Sequence, residues 1–158
     1  MCGIKIMEKI NEIKNIIDEF FRKHGTSDFE IKNVEISADG SLNVSVFIAD
    51  ASLYIGEEGR NIKSFETILR LIIKKQTENI STVHLDINNY RGLKNEALRE
   101  LAKKAARRAR FYKIPVALEA MSSYDRRIIH TELTGHPDIR TESTGEGDNR
   151  RIVVKYIS

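Results

Sequence analysis

At 158 residues the chain has room for one large domain or two small ones, and with 41% hydrophobic and 31% charged residues it reads as folded and well solvated, not disordered. Its single cysteine, Cys2, excludes a disulfide framework and a cysteine metal site, and no run nears the roughly 20 apolar residues needed to span a bilayer. The net charge of +3 is unevenly spread: residues 1–90 carry 11 Lys/Arg against 14 Asp/Glu, whereas residues 91–158 carry 15 against 9. A second half that faces a polyanion and a merely solvated helix surface both fit this split. The first ten residues lack the apolar core of a signal peptide, so the expected location is cytoplasmic, without membrane insertion.

Over residues 4–21, Ile6, Ile10, Ile13, Ile16, Ile17, Phe20 and Phe21 recur three and four apart, predicting an amphipathic helix that stops at Gly25. Residues 30–37 are rich in branched side chains, Ala38-Asp39-Gly40 is a turn signal, and Leu42, Val44, Val46 and Ile48 alternate with Asn43, Ser45 and Phe47. That pattern predicts a β-hairpin with one buried face. Residues 50–55 suit a short helix. Beyond Gly59, Ile62, Phe65, Ile68, Leu69, Ile72 and Ile73 mark a longer one, and Val83, Leu85 and Ile87 a strand. The first half therefore reads αββααβ.

In the second half, Leu93, Ala97, Leu98, Leu101, Ala102, Ala105 and Ala109 are expected on one side of a long helix, with Arg99, Lys103, Arg107 and Arg110 opposite. A short strand at residues 114–118 follows, with Pro115 at its start. Next comes a helix capped by Ser122 or Ser123 and running to about Leu133, where residues 134–137 signal a turn. Two strands near residues 139–143 and 150–157, joined by a glycine-containing loop, complete an αβαββ string. The predicted fold class is α+β, with one module over residues 1–88 and a second over residues 89–158.

Gly56-Glu57-Glu58-Gly59 sits between two predicted helices. Glycines at this spacing let a backbone turn come close to a sugar-phosphate chain, and the N–H groups opening the next helix favour phosphate. A plain helix–helix turn uses the same residues. Within its αββααβ string, the run from Asp50 through Arg60 to Phe65 resembles the KH domain of type II topology. That resemblance implies binding of about four nucleotides against the Gly-x-x-Gly loop. It gives Gly56, Gly59, Arg60 and Lys63 a nucleic-acid-binding role. The two middle residues, commonly including a basic one, are both acidic here, and each carboxylate beside a phosphate costs about 1 kcal/mol in water-like surroundings. The loop therefore stays open to two readings, a nucleic-acid contact or a surface for a protein partner.

On the helix after Ser123, Arg126 and His130 lie four apart and share a face, with Arg127 alongside; Met121, Ile128, Ile129 and Leu133 are expected toward the core. An arginine next to an imidazole can hydrogen-bond successive phosphates and stack on bases, although such a pair is often only a solvated surface. Residues 115–130, followed by Gly135-His136-Pro137, closely resemble the domain named for its Arg-x-x-x-His motif, which implies binding of single-stranded nucleic acid through Arg126 and His130. A KH-like module followed by this domain resembles the Jag (SpoIIIJ-associated) family of bacteria over residues 30–158. The resemblance implies single-stranded RNA as partner and a link to cell-envelope processes, and the family's usual N-terminal domain is expected to be missing.

Arg99, Lys103 and Arg107 would form a backbone track beside Arg126, Arg127 and His130, giving salt-sensitive, sequence-tolerant affinity. His130, His136 and Asp138 lack the ligand spacing of a metal site, and the loop at Gly145 and Gly147 joins strands instead of opening a helix. No nucleophile–base constellation is evident, so no enzyme activity, metal or cofactor is expected. The leading expectation is a non-catalytic binder of single-stranded RNA, or of single-stranded DNA, acting as a post-transcriptional regulator or RNA chaperone. The other is an adaptor whose KH-like half holds a protein.

Overall fold

The computed structural model describes the backbone of residues 2–77 and 80–157; the side chains of residues 2–5, Cys2 and Ile4 among them, lie outside the described residues. The chain is a mixed α+β protein with two three-stranded sheets. It divides into two compact units, Met1–Tyr90 and Arg91–Ser158.

In the first unit the order is α1 (Cys2–Lys23), β1 (Phe29–Ile36), β2 (Ser41–Ile48), α2 (Ser52–Ile55), a single 3-10 turn (Glu57–Gly59), α3 (Arg60–Gln76) and β3 (Thr82–Ile87). Helix α1 ends at Lys23, just before Gly25, which takes a φ of 83°. Strand β2 is central, antiparallel to β1 and parallel to β3. The period-two alternation puts Leu42, Val44, Val46 and Ile48 on one face, all buried, and Val83, Leu85 and Ile87 join them from β3. Ile13, Ile17 and Phe21 of α1 and Ile62, Leu69 and Ile73 of α3 close over that face. Asn88, at φ 54°, extends the β2–β3 pairing with its side chain: its Oδ1 accepts from Ile48 N and its Nδ2 donates to Ile48 O, both at 2.8 Å.

The second unit contains α4 (Tyr90–Tyr112, beginning at the last residue of the first unit), β4 (Val116–Ala120), α5 (Ser123–Leu133), β5 (Ile139–Thr144) and β6 (Arg151–Tyr156). Its sheet runs β4-β6-β5, antiparallel throughout. Ala102, Ala105, Ala106 and Ala109 form the buried stripe of α4 and pack with Leu118, Ile129, Leu133, Ile152 and Val154. This corrects the predicted face in part: Ala102, Ala105 and Ala109 are buried as expected, and Leu98 packs against them. Leu93 and Ala97 are exposed, as is Leu101 in part, whereas Ala106, absent from the predicted stripe, is buried. The four alanines meet larger side chains from β4, α5 and β6, which fill the space beside the helix, so packing and not hydrophobicity alone sets which side of α4 faces inward.

Candidate nucleic-acid interface

Helix α5 begins at Ser122, whose Oγ accepts from Asp125 N at 3.2 Å. Ile129 and Leu133 are fully buried and fix its rotation about its axis. Arg126 and His130 therefore emerge together on the side of β5, with Arg127 turned further to solvent. Asp125 and Glu132 project on the side of α4. Lys94 Nζ meets Asp125 Oδ2 at 3.1 Å, and Glu132 meets Arg99 at 3.8 Å and Lys103 at 3.7 Å. These ion pairs brace α5 along α4 and leave its other side for a ligand.

On β5, Thr141 and Ser143 are two residues apart and so share a face. The Thr141 hydroxyl lies 2.6 Å from His130 Nδ1, which orients the ring and leaves Nε2 for an outside partner. Ser143 Oγ accepts from two guanidinium groups, Arg126 Nη1 at 2.6 Å and Arg150 Nε at 3.1 Å. A hydroxyl has two acceptor positions and one proton. With both acceptor positions used, Ser143 can only donate. Two arginines thus converge on one serine, and among the described residues neither pairs with a carboxylate. Arg126 Nε, buried, has no hydrogen-bond partner among them either. The two guanidinium groups and the Ser143 hydroxyl therefore offer donors alone, and their complement is an oxyanion.

The predicted basic row splits. Arg99 and Lys103 are engaged by Glu132, and additionally by Glu96 at 3.5 Å and Glu100 at 2.9 Å respectively. Arg107 makes no ion pair among the described residues. Arg110, expected in the same exposed row, is instead half-buried and bidentate to Asp138, at 2.5 and 2.8 Å, so it belongs to the scaffold. That hydrogen-bonded guanidinium pulls the Asp138 carboxyl down to about 2.

In the first unit the Gly-x-x-Gly loop is tightly determined. Gly56 has φ 66° and ψ 179°, and a Cβ there would lie 2.5 Å from the Asn61 side chain, whose Nδ2 closes the loop by donating to Leu53 O at 2.7 Å. Gly59 has φ 82°, and a Cβ there would meet the Tyr90 ring at 2.6 Å. Both glycines are needed for the turn itself. Glu57 and Glu58 are exposed, and Arg60 leans toward Glu57 at 3.8 Å. Beyond the loop, Arg60, Lys63, Ser64, Thr67 and Ile68 line a shallow groove of about 570 Å³ along α3.

Among the described residues no group of three His, Cys, Asp or Glu side chains is placed to hold a metal ion, and no helix is long and apolar enough to cross a membrane.

The Arg126, His130, Thr141, Ser143 and Arg150 cluster lies within the segment that comparison with known families singles out. Residues 96–156 match the domain family named for the Arg-x-x-x-His motif. The match runs from within α4 to the end of β6, so every side chain of the cluster belongs to the matched segment. The chain is 28% identical over 152 residues to an RNA-binding protein KhpB of Clostridium symbiosum, an alignment covering 96% of this chain and 64% of that protein. It is 36% identical over 108 residues to RNA-binding protein KhpB of Bacillus subtilis, covering 67% of this chain and 52% of the relative. The protein of that name from Lactiplantibacillus plantarum is 30% identical over 102 residues, covering 65% of this chain and 32% of that protein. The chain thus spans less than two thirds of the length of each of these relatives.

Arg126, Arg127 and His130 of the matched domain were legible as a motif on one helix. Thr141, Ser143 and Arg150 were not predicted. The available signal was the alternation of hydroxyl residues on the strand facing that helix, together with an arginine directly after the hairpin loop.

Proposed function

We propose that the protein is a non-catalytic binder of single-stranded RNA, in which Arg126, Ser143 and Arg150 receive a backbone phosphate and His130 and Arg127 engage the adjoining nucleotide. The observation that carries this reading is the convergence of Arg126 and Arg150 on one serine, with no carboxylate paired to either among the described residues. Holding two like charges together costs free energy unless an anion joins them, and a phosphate accepts from both forks and from the hydroxyl. The Arg-x-x-x-His domain match and the RNA-binding relatives support RNA as the polyanion. Arg107 adds an unpaired cation to the path, while Arg99 and Lys103, partly neutralised by Glu132, act through longer-range attraction. The order αββααβ, with Gly56 and Gly59 between α2 and α3, supports reading residues 1–88 as a KH-like module, with Gly56, Gly59, Arg60 and Lys63 as its contact. The resemblance to the Jag family supports a cytoplasmic post-transcriptional role linked to the cell envelope.

The test is fluorescence anisotropy with a labelled 20-mer of single-stranded RNA. Arg126→Ala combined with His130→Ala is expected to weaken binding about tenfold or more, since each lost charge-assisted contact costs roughly 1 kcal/mol or above. Unchanged affinity in a folded double mutant would overturn the site.

One observation favours a second reading for the first unit. The loop that would approach phosphate carries two exposed carboxylates, and its nearest cation, Arg60, is drawn toward one of them. In that reading the KH-like half holds a protein partner and RNA binding belongs to the Arg-x-x-x-His domain alone.

A further inference from the structure

The alanine stripe of α4 fixes what its opposite side displays. With Ala102, Ala105, Ala106 and Ala109 buried, the side facing directly away from the core carries Lys104, Arg107, Arg108 and Phe111, spaced i, i+3, i+4 and i+7. Lys104, Arg107 and Arg108 form no contact-distance ion pair among the described residues, unlike Arg99, Lys103 and Arg110 on the neighbouring flank. At the end of this stripe Phe111 is 79% exposed, and its neighbour Tyr112 is 60% exposed. The two rings meet edge to face, with centroids 4.9 Å apart and planes at 85°. The helix end is anchored: Lys113, at φ 57°, caps it by donating to Ala109 O at 2.9 Å, and its Nζ sits 3.4 Å from the centroid of the Tyr156 ring.

We propose that Phe111 is a stacking platform for an unpaired nucleotide base, with Arg107 and Arg108 holding the phosphates on either side of it. The proposal rests on the single-strand reading above and adds a second station to it. A large apolar ring left in water next to three unpaired cations suits a ligand that is apolar on one surface and anionic beside it. A nucleotide has that form, with a π-face on the base and a charged phosphate one residue along the strand. The edge-to-face contact with Tyr112 supports one side of the Phe111 ring and leaves its exposed face for a base. A purely aliphatic partner would gain nothing from the three cations, and an acidic peptide would gain nothing specific from the ring.

The chain contains no tryptophan, so Phe111→Trp introduces a sole indole reporter on the full-length protein. Titration with a single-stranded RNA 20-mer is expected to quench its emission, and an abasic strand of equal length and charge is expected to leave it unchanged. In anisotropy, Phe111→Ala and Phe111→Leu are each expected to weaken the base-bearing strand by about fivefold or more, the lower end for one base stacked on an aromatic ring. Neither should alter binding of the abasic strand, whereas Arg126→Ala weakens both. Wild-type affinity for RNA in Phe111→Ala, or an equal loss on both strands, overturns the platform and leaves the Arg126 site standing. Failure of the wild-type chain to bind either strand overturns the single-strand reading, and the platform with it.

Discussion

Ser143 is a small residue with a large predicted effect, because its oxygen is the common acceptor for Arg126 and Arg150. Removing it leaves two guanidinium groups without their shared anchor, and each then samples rotamers that a phosphate must again restrict. Ser143→Ala is therefore expected to weaken single-stranded RNA binding by roughly fivefold, about 1 kcal/mol, with thermal stability unchanged. Ser143→Thr, which keeps the hydroxyl, should retain most of the affinity; equal losses in the two variants would assign the effect to strand packing instead. Asp125, the residue before Arg126, poses the opposite problem. Its side chain is buried, Lys94 holds one carboxylate oxygen, and the other accepts no hydrogen bond among the described residues. Replacing Lys94 with Met strands a buried charge, and a cost of about 3 kcal/mol follows from such deletions elsewhere. Urea unfolding should register that loss for Lys94→Met, and the added Asp125→Asn should recover part of it. A loss below about 1 kcal/mol would show that solvent already reaches the carboxylate.

At the scale of elements, the pair Arg110–Asp138 ties the last turn of α4 to the approach of β5, the strand that carries Thr141 and Ser143. The guanidinium lowers the Asp138 carboxyl from 3.8 to about 2. A depressed carboxylate contributes stability that is complete above its unfolded value and lost as pH falls toward its folded one. The melting temperature of wild type should thus exceed that of Asp138→Asn by a constant margin above about pH 4, and the margin should close between about pH 4 and pH 2. A margin that persists at the acid end would mean that shape, not charge, makes this contact. The order of the elements was readable because each one satisfies a single period, as in the strict alternation of Leu42, Val44, Val46 and Ile48. Helix α4 was misread only in part: Ala102, Ala105 and Ala109 were expected inside, but Leu93 and Leu101 outweigh alanines on any hydrophobicity scale and so drew the face toward residues that the core does not cover. The candidate cluster was half legible for a related reason. Arg126 and His130 are neighbours through helix geometry alone, whereas Thr141, Ser143 and Arg150 reach them only through tertiary packing of the hairpin on α5.

For the whole molecule the proposed function predicts a strand that runs past one unit or both, and the charge asymmetry offers a way to measure which. Residues 1–90 carry three more acidic than basic side chains, and two of the carboxylates, Glu57 and Glu58, occupy the loop that a KH-like module would turn toward phosphate. If the strand passes that loop, those carboxylates oppose it, and replacing both with lysine converts repulsion into two phosphate contacts. Each phosphate neutralised on a single strand adds about 0.7 to the slope of log Kd against log salt concentration. Glu57→Lys with Glu58→Lys should therefore tighten binding at low salt and steepen that slope by about 1.4, provided the turn keeps its shape. Glu58 sits at φ 54°, a region that glutamate and lysine, both unbranched at Cβ, enter at similar cost, so lysine adds little backbone strain relative to glutamate. Gly56→Ala, at a residue the turn requires, should destabilise the first unit by roughly 1–3 kcal/mol in urea unfolding, through its φ and its collision with Asn61. An unchanged salt slope in the lysine double mutant, with Arg126→Ala still flattening it, would place the whole RNA path on residues 91–158. The acidic loop would then be free to meet a protein.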